Sequence, residues 1–92
     1  MAEMHEVTIK VVSQQGHCAA GHRVGDEWRF TGATPGGICF SAFNSILPAA
    51  QVLMFGGSYP WATAEGTTTV ACPDAQNPVV FELRRGAPLR TG

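Results

Sequence analysis

The sequence has few charged residues and no concentration of charge of one sign. Asp, Glu, Lys and Arg make up 14% of the 92 residues, and the formal net charge is −1. An average chain has about 25% charged residues. No basic run is present to neutralise phosphates, so nucleic-acid binding is not expected. A small domain has much surface for its volume, so the sparse charge predicts a homo-oligomer in which a second copy covers part of that surface.

Long apolar runs are also missing. No stretch approaches the ~18 consecutive apolar residues of a membrane span. The first residues, MAEMHEVTIK, lack the apolar core of a signal peptide. We therefore expect no membrane contact and predict a cytoplasmic protein. Three cysteines cannot all pair within one chain. In a reducing compartment they would be free thiols, metal ligands or catalysts.

The common catalytic and nucleotide-binding motifs are absent. The sequence contains no GxxxxGK, GxGxxG or GxSxG, which removes the usual signatures of nucleotide binding and serine hydrolysis. The length predicts one domain spanning residues 1–92. We expect an ordered core at about residues 6–85 and a frayed tail at 86–92.

Four short segments have the composition and alternation of β-strands. In the first, Val7, Ile9 and Val11 point to one side of the strand and their neighbours to the other. Pro and Gly-rich turns bound the others. The predicted strands are residues 6–14, 27–31, 68–72 and 79–85.

One region between the second and third strands has helical periodicity. Its apolar stripe is formed by Cys39, Phe40, Phe43, Ile46 and Leu47. Proline lacks the helical donor, so the helix should end or kink at residue 48, and a second short helix should follow over about residues 49–54. The predicted fold is α+β: a small four-stranded sheet with one kinked helical unit packed on one face.

The stretch GHCAAGHRVGDEW, residues 16–28, holds soft ligand types in a glycine-rich loop. Zinc and iron favour thiolate and imidazole ligands. Cys18 and His22 lie four residues apart, while Cys39 opens the helix and Cys72 ends the third strand. These four residues form the first hypothesis, a Zn or Fe site. No CxxC or HxxxH spacing is present, so only the fold can bring them together.

The second hypothesis is a metal-free enzyme. Cys18, His22 and Asp26 would supply a nucleophile or proton transfer. The chemistry would be that of an isomerase, cyclase or lyase acting on an apolar small molecule. Six aromatic side chains would line its pocket: Trp28, Phe40, Phe43, Phe55, Tyr59 and Trp61.

The third hypothesis is a structural interaction module. Free cysteine is among the most buried residue types, and Cys39 is in phase with the apolar stripe. His22 would then donate a hydrogen bond to a loop carbonyl, Asp26 would form an Asx turn, and Asp74 would belong to a turn. The sequence leaves these three hypotheses open.

An ordered set of motifs runs through nearly the whole chain, from about residue 7 to residue 85. The set is GHCxxGHxVGD, PxGxC, FGGxxPW and CPD, followed by PVVFEL. It resembles a family of short prokaryotic proteins to which no chemistry is assigned. The resemblance implies that the recurrent positions are those matching Cys18, His22, Gly25, Asp26, Cys39, Gly57, Cys72, Pro73 and Asp74. It implies no reaction.

Overall fold

The structure, a computed structural model, describes residues 4–89. The strands are β1 (His5–Gln14), β2 (Glu27–Phe30), β3 (Thr67–Ala71) and β4 (Val79–Pro88), and the helix is α1 (Phe40–Met54). All strand pairs are antiparallel, and the order across the sheet is β2-β1-β4-β3. The predicted small α+β fold is therefore confirmed. Within residues 4–89, no helix has the length and apolar character needed to cross a membrane.

The two central strands supply the sheet's half of the core. β1 and β4 alternate, and their registers place Ile9 opposite Leu83 and Val11 opposite Phe81. Burying each such side chain is worth about 1.5–3 kcal/mol. The predicted inward faces are confirmed, since six side chains are at most 1% exposed: Val7, Ile9, Val11, Val79, Phe81 and Leu83.

Helix α1 covers this face through an alanine-rich stripe. The stripe differs from the predicted one, because Phe40 is 86% exposed and Leu47 only half-buried. Phe40 lies about 110° around the helix from the centre of the buried face at 100° per residue. Ile46 and Leu53 lie near the centre of the buried face, and three of its seven residues are alanine. The buried residues are Ala42, Phe43, Ile46, Ala49, Ala50, Leu53 and Met54.

Pro48 lies inside α1, so the predicted helix end at this position and the separate helix at 49–54 are wrong. An interior proline normally costs about 3 kcal/mol because it removes a hydrogen bond and crowds the carbonyl four residues earlier. Pro48 and Asn44 are both exposed. The lost hydrogen bond thus lies on the exposed side of the helix, while buried residues on both sides of Pro48 hold the two halves of the helix on the sheet.

The C-terminal end of α1 is tied to the sheet by Arg85. Its guanidinium donates hydrogen bonds to the carbonyls of Leu53 (3.3 Å), in the last turn of the helix, and Gly57 (2.6 Å), just beyond it. β4 then continues to Pro88, and the Leu89 N–H donates to the Met4 carbonyl at 2.7 Å. Residues 86–89, expected to fray, are thus paired with the start of the chain. Residues 90–92 of the predicted tail lie outside the described residues.

Candidate functional site

A cavity of about 260 Å³ lies between the N-terminal end of α1 and one end of the sheet. Three chain segments that are distant in sequence meet at it: the loop after β1, the start of α1 and the turn between β3 and β4. The start of β4, at Val79 and Phe81, also lines the cavity. Its lining residues are Cys18, Ala19, Ala20, His22, Cys39, Ser41, Ala42, Cys72, Pro73, Asp74, Asn77, Val79 and Phe81.

All three cysteines line this cavity, and each is a half-buried free thiol. Cys18 lies in the loop after β1, Cys39 immediately precedes α1 and Cys72 immediately follows β3. His22 lines the same cavity. The four residues named in the metal hypothesis therefore face one space. Among residues 4–89, however, no three His, Cys, Asp or Glu side chains are grouped closely enough to hold a metal ion.

The His22 imidazole is buried, with 6% of its surface exposed, and it anchors the start of α1. Its Nε2 accepts a hydrogen bond from the Cys39 N–H at 3.0 Å. The ring also packs edge-on against Trp28, with centroids 4.9 Å apart. An accepting Nε2 carries no proton and has no free lone pair for a metal. In this arrangement His22 positions Cys39.

The Cys72 thiol is part of the turn between β3 and β4. Its Sγ accepts the Val79 N–H at 3.2 Å and lies 3.9 Å from the Asn77 carbonyl oxygen. The Cys72 N–H donates to the Val79 carbonyl at 2.9 Å, which continues the strand pairing by one residue. These contacts fix the sulfur at the edge of the cavity.

The same turn is held together by Asp74. One carboxylate oxygen accepts the backbone N–H groups of Gln76 and Asn77, both at 3.1 Å. The other accepts from the Asn77 side-chain amide at 3.2 Å. The Asn77 amide, followed by the Gln76 N–H, lowers the pKa of this carboxyl below its ordinary value of 3.8. The turn expected at Asp74 is present, and the structure shows it to be an Asx turn closed by the Gln76 N–H.

Asp74→Asn is expected to reduce the free energy of unfolding at neutral pH, and the reduction should vanish in acid. A carboxyl whose pKa is lowered on folding contributes stability above its unfolded pKa and loses it as the pH falls through the folded value. The difference between wild type and variant should therefore close as the pH falls below 3.8. Urea unfolding across a pH series measures it. A difference that persists unchanged in acid would contradict this account.

Asp26 does not reach the cavity. Its carboxylate accepts the Arg23 N–H at 2.9 Å, and its own N–H donates to the Arg23 carbonyl at 3.0 Å. These bonds close a tight turn before β2, but the Asp26 carboxylate accepts from the residue three positions before it, so this turn is not the Asx turn expected, in which the acceptor side chain precedes its donor by two residues. Asp74 is the carboxylate that lines the cavity. The proposed trio of Cys18, His22 and Asp26 is thus reduced to two residues facing one space.

The six aromatic side chains expected to form one pocket are dispersed. Phe43 packs on Phe30 in the core, and Trp28 packs on His22 and Phe81. Phe40 and Phe55 are exposed. Tyr59 stacks on Trp61 at 4.8 Å, and Trp61 borders a separate cavity of about 100 Å³. None of the six lines the cavity bordered by the three cysteines, called the cysteine cavity below. An aromatic side chain in a loop can face solvent, and the periodicity of the sequence does not show whether it does.

Asn77 is a site residue that the sequence analysis missed. It lines the cavity, and its Oδ1 accepts the His17 N–H at 2.8 Å, which joins the turn to the loop after β1. The Asn-Pro pair at 77–78 signals a turn but not this contact between distant segments.

Comparison of the chain with family models, curated proteins and solved structures found no match. The resemblance to a family of short prokaryotic proteins therefore stays a prediction.

Proposed function

We propose that this domain binds a thiophilic metal ion, zinc or ferrous iron, through Cys18, Cys39 and Cys72. The observation that carries the proposal is that all three thiols line one cavity although they come from three separate segments. Free cysteines in a core are usually fully buried. These three are half-buried and border open space instead, which is the placement expected of ligands.

The chemistry of the donors favours a soft or borderline cation. Thiolate sulfur binds zinc and iron well, whereas magnesium and calcium prefer oxygen. Three protein ligands leave one position of a tetrahedral zinc ion for an exogenous ligand, as in catalytic zinc sites. His22, the fourth residue of the original hypothesis, takes an orienting role here, because its Nε2 is occupied by the Cys39 N–H.

Metal binding requires the thiols to draw together, since no three candidate side chains in residues 4–89 are yet grouped at ligand distance. The loop that carries Cys18 is the segment best able to adjust. It is bounded by Gly16 and Gly21, both with positive φ, and it has no regular secondary structure. Closure of this loop would bring Cys18 toward Cys39 and Cys72.

Elemental analysis of protein purified without a metal-chelating tag, with a free-thiol count on the same sample, tests the proposal. We expect close to one zinc or iron per chain and three thiols that react only after denaturation. Protein that is isolated without metal should take up added Zn²⁺ under reducing conditions. Failure to bind Zn²⁺ or Fe²⁺ with all thiols reduced would overturn the proposal.

A second candidate function is binding, or chemical conversion, of a small uncharged molecule in the same cavity. The favouring observation is that the cavity of about 260 Å³ exceeds what one ion needs and has apolar walls, among them Ala42, Val79 and Phe81. It is smaller than the roughly 300–1,000 Å³ of drug-sized sites. Cys18 would then be the reactive thiol of an isomerase, cyclase or lyase. Metal-free protein with one fast-reacting thiol favours this candidate.

Self-association also stays a proposal. It is supported by large apolar side chains that the fold leaves exposed, a property common at protein interfaces. They are Val12, Val24, Phe40, Val52, Phe55 and Trp61.

A further inference from the structure

Beyond the strand pairing, the segments that carry Cys18 and Cys72 are joined by the Gln15 N–H, which donates to the Pro78 carbonyl at 3.0 Å, and by the side chain of Asn77, whose contact lies closer to Cys18. Its Oδ1 accepts the N–H of His17, the residue directly before Cys18, at 2.8 Å. Its own carbonyl lies 3.9 Å from the Cys72 sulfur. Asn77 therefore contacts both segments, although His17 lies 60 residues before it in the chain.

Asn77 is itself held in one orientation. The Asp74 carboxylate accepts both its backbone N–H (3.1 Å) and its side-chain amide (3.2 Å). Using the amide N–H₂ as donor leaves Oδ1 facing the loop. Gly16 makes room for it: a Cβ there would lie 2.2 Å from Oδ1, and φ is +68°. The loop thus provides the His17 N–H that donates to Asn77 and, at Gly16, the space that the Asn77 side chain needs.

We infer that Asn77 is a positioning residue of the thiol site, and that its bond to His17 sets the place of Cys18 relative to Cys72. The inference rests on the proposed metal-binding function. Cys39 provides an internal reference, because its position is set separately by the His22 bond to its N–H. Loss of Asn77 should disturb Cys18 and leave Cys39 unchanged.

Asn77→Ala removes the acceptor for the His17 N–H and the donor to Asp74. Loss of an outer-shell partner typically lowers metal affinity by about 10–100-fold, and we expect a decrease of this size for Zn²⁺. Residue-resolved alkylation of the metal-free protein is the second readout. Cys18 should react faster in the variant than in wild type, whereas the rate at Cys39 should be unchanged. A general loss of stability would accelerate both.

An exchange of the two side chains provides a matched rescue. In the double variant Asp74→Asn with Asn77→Asp, residue 74 supplies the amide donor, and residue 77 keeps a carboxylate oxygen for the His17 N–H. All the side-chain bonds of the original pair can then form. The single variant Asn77→Asp instead places two carboxylates side by side and should remain impaired. We expect the double variant to recover Zn²⁺ affinity and the wild-type alkylation rate of Cys18.

Amide hydrogen exchange at His17 in the wild-type protein tests the contact without any substitution. The inference requires this N–H to be protected relative to the exposed amides of Ala19 and Ala20. An unprotected His17 amide, or Cys18 alkylation and Zn²⁺ affinity both unchanged in Asn77→Ala, would overturn the inference. If wild-type protein binds no Zn²⁺, the proposed function fails by itself, while His17 protection and Cys18 alkylation still decide the role of Asn77.

Discussion

Zinc affinity is expected to fall by about 100–1,000-fold when any one of Cys18, Cys39 and Cys72 is changed to serine. A four-ligand zinc site is worth roughly 10–16 kcal/mol in apparent binding free energy at neutral pH. Each ligand of such a site therefore contributes about 2.5–4 kcal/mol, a share we also expect of each of the three thiolates here, and each 1.4 kcal/mol is a factor of ten in affinity. Serine keeps the shape of the side chain but replaces the soft sulfur with a hydroxyl that stays protonated. Competition with a chelator of known zinc affinity measures the three variants against wild type.

His17→Ala is the matched control for these substitutions. His17 is adjacent to Cys18 and is a potential ligand by residue type, but it is exposed and does not line the cavity. Only its backbone N–H has a contact, which alanine retains. Its zinc affinity should equal that of wild type. Wild-type affinity in all three serine variants, or a loss at His17→Ala as large as at Cys18→Ser, would contradict the assignment of the ligands.

The two central strands were predictable because their inward side chains alternate in β1 from Val7 to Val11 and in β4 from Val79 to Leu83. Val7, Ile9 and Val11 in β1 are followed by a register irregularity between Val11 and Ser13, which local sequence does not reveal. The helix was harder to predict because two rules conflicted. Proline at position 48 signals a helix end, but the alanine stripe on both sides of it packs on the sheet. Packing of the whole face outweighed the local cost of one lost hydrogen bond.

The residue types of the candidate site were predictable, whereas the contacts that position them were not. Cys18, His22, Cys39 and Cys72 stood out because soft side chains are rare in a loop or at a strand end, and all four line the cavity. The bond from the Cys39 N–H to His22 joins residues 17 positions apart, and that from His17 to Asn77 joins residues 60 apart. Such pairs depend on the order of the strands, which no local pattern encodes.

Each thiol of the cavity is located by a different backbone contact. The Cys39 N–H donates to His22, the N–H before Cys18 donates to Asn77, and the Val79 N–H donates to the Cys72 sulfur. The contacts to His22 and Asn77 position the backbone at Cys39 and next to Cys18, whereas the contact from the Val79 N–H acts directly on the Cys72 sulfur. Cys39 and Cys72 are therefore attached to α1 and to the sheet, while Cys18 lies in a loop whose contacts are the Asn77 bond, a turn bond from the Gly21 N–H to the Cys18 carbonyl, and the Gln15 bond to Pro78. We therefore expect the loop after β1 to be the segment that moves when a metal ion binds.

Phe81→Ala is expected to reduce the free energy of unfolding by about 3–5 kcal/mol, the usual cost of truncating a buried phenylalanine. Phe81 is fully buried on β4, paired with Val11 on one side and Val70 on the other. Its ring packs edge-on against the His22 ring, with centroids 6.4 Å apart, and it lines the cysteine cavity. The loss is large relative to the total stability of about 5–15 kcal/mol that most domains have. Urea unfolding, with the midpoint and slope compared to wild type, measures it.

Phe40→Ala makes the identical chemical change at a residue of the same type that is 86% exposed. It should alter stability by no more than about 0.5 kcal/mol, because almost no apolar contact is lost. Phe81→Leu, expected to cost under about 1.5 kcal/mol, keeps the comparison usable if the alanine variant does not fold. Zinc stoichiometry should stay at the wild-type value in every folded variant, since no thiol is removed. Equal losses at Phe40 and Phe81 would mean that α1 presents to the sheet the face on which Phe40 lies, and that the alanine stripe is not the buried one.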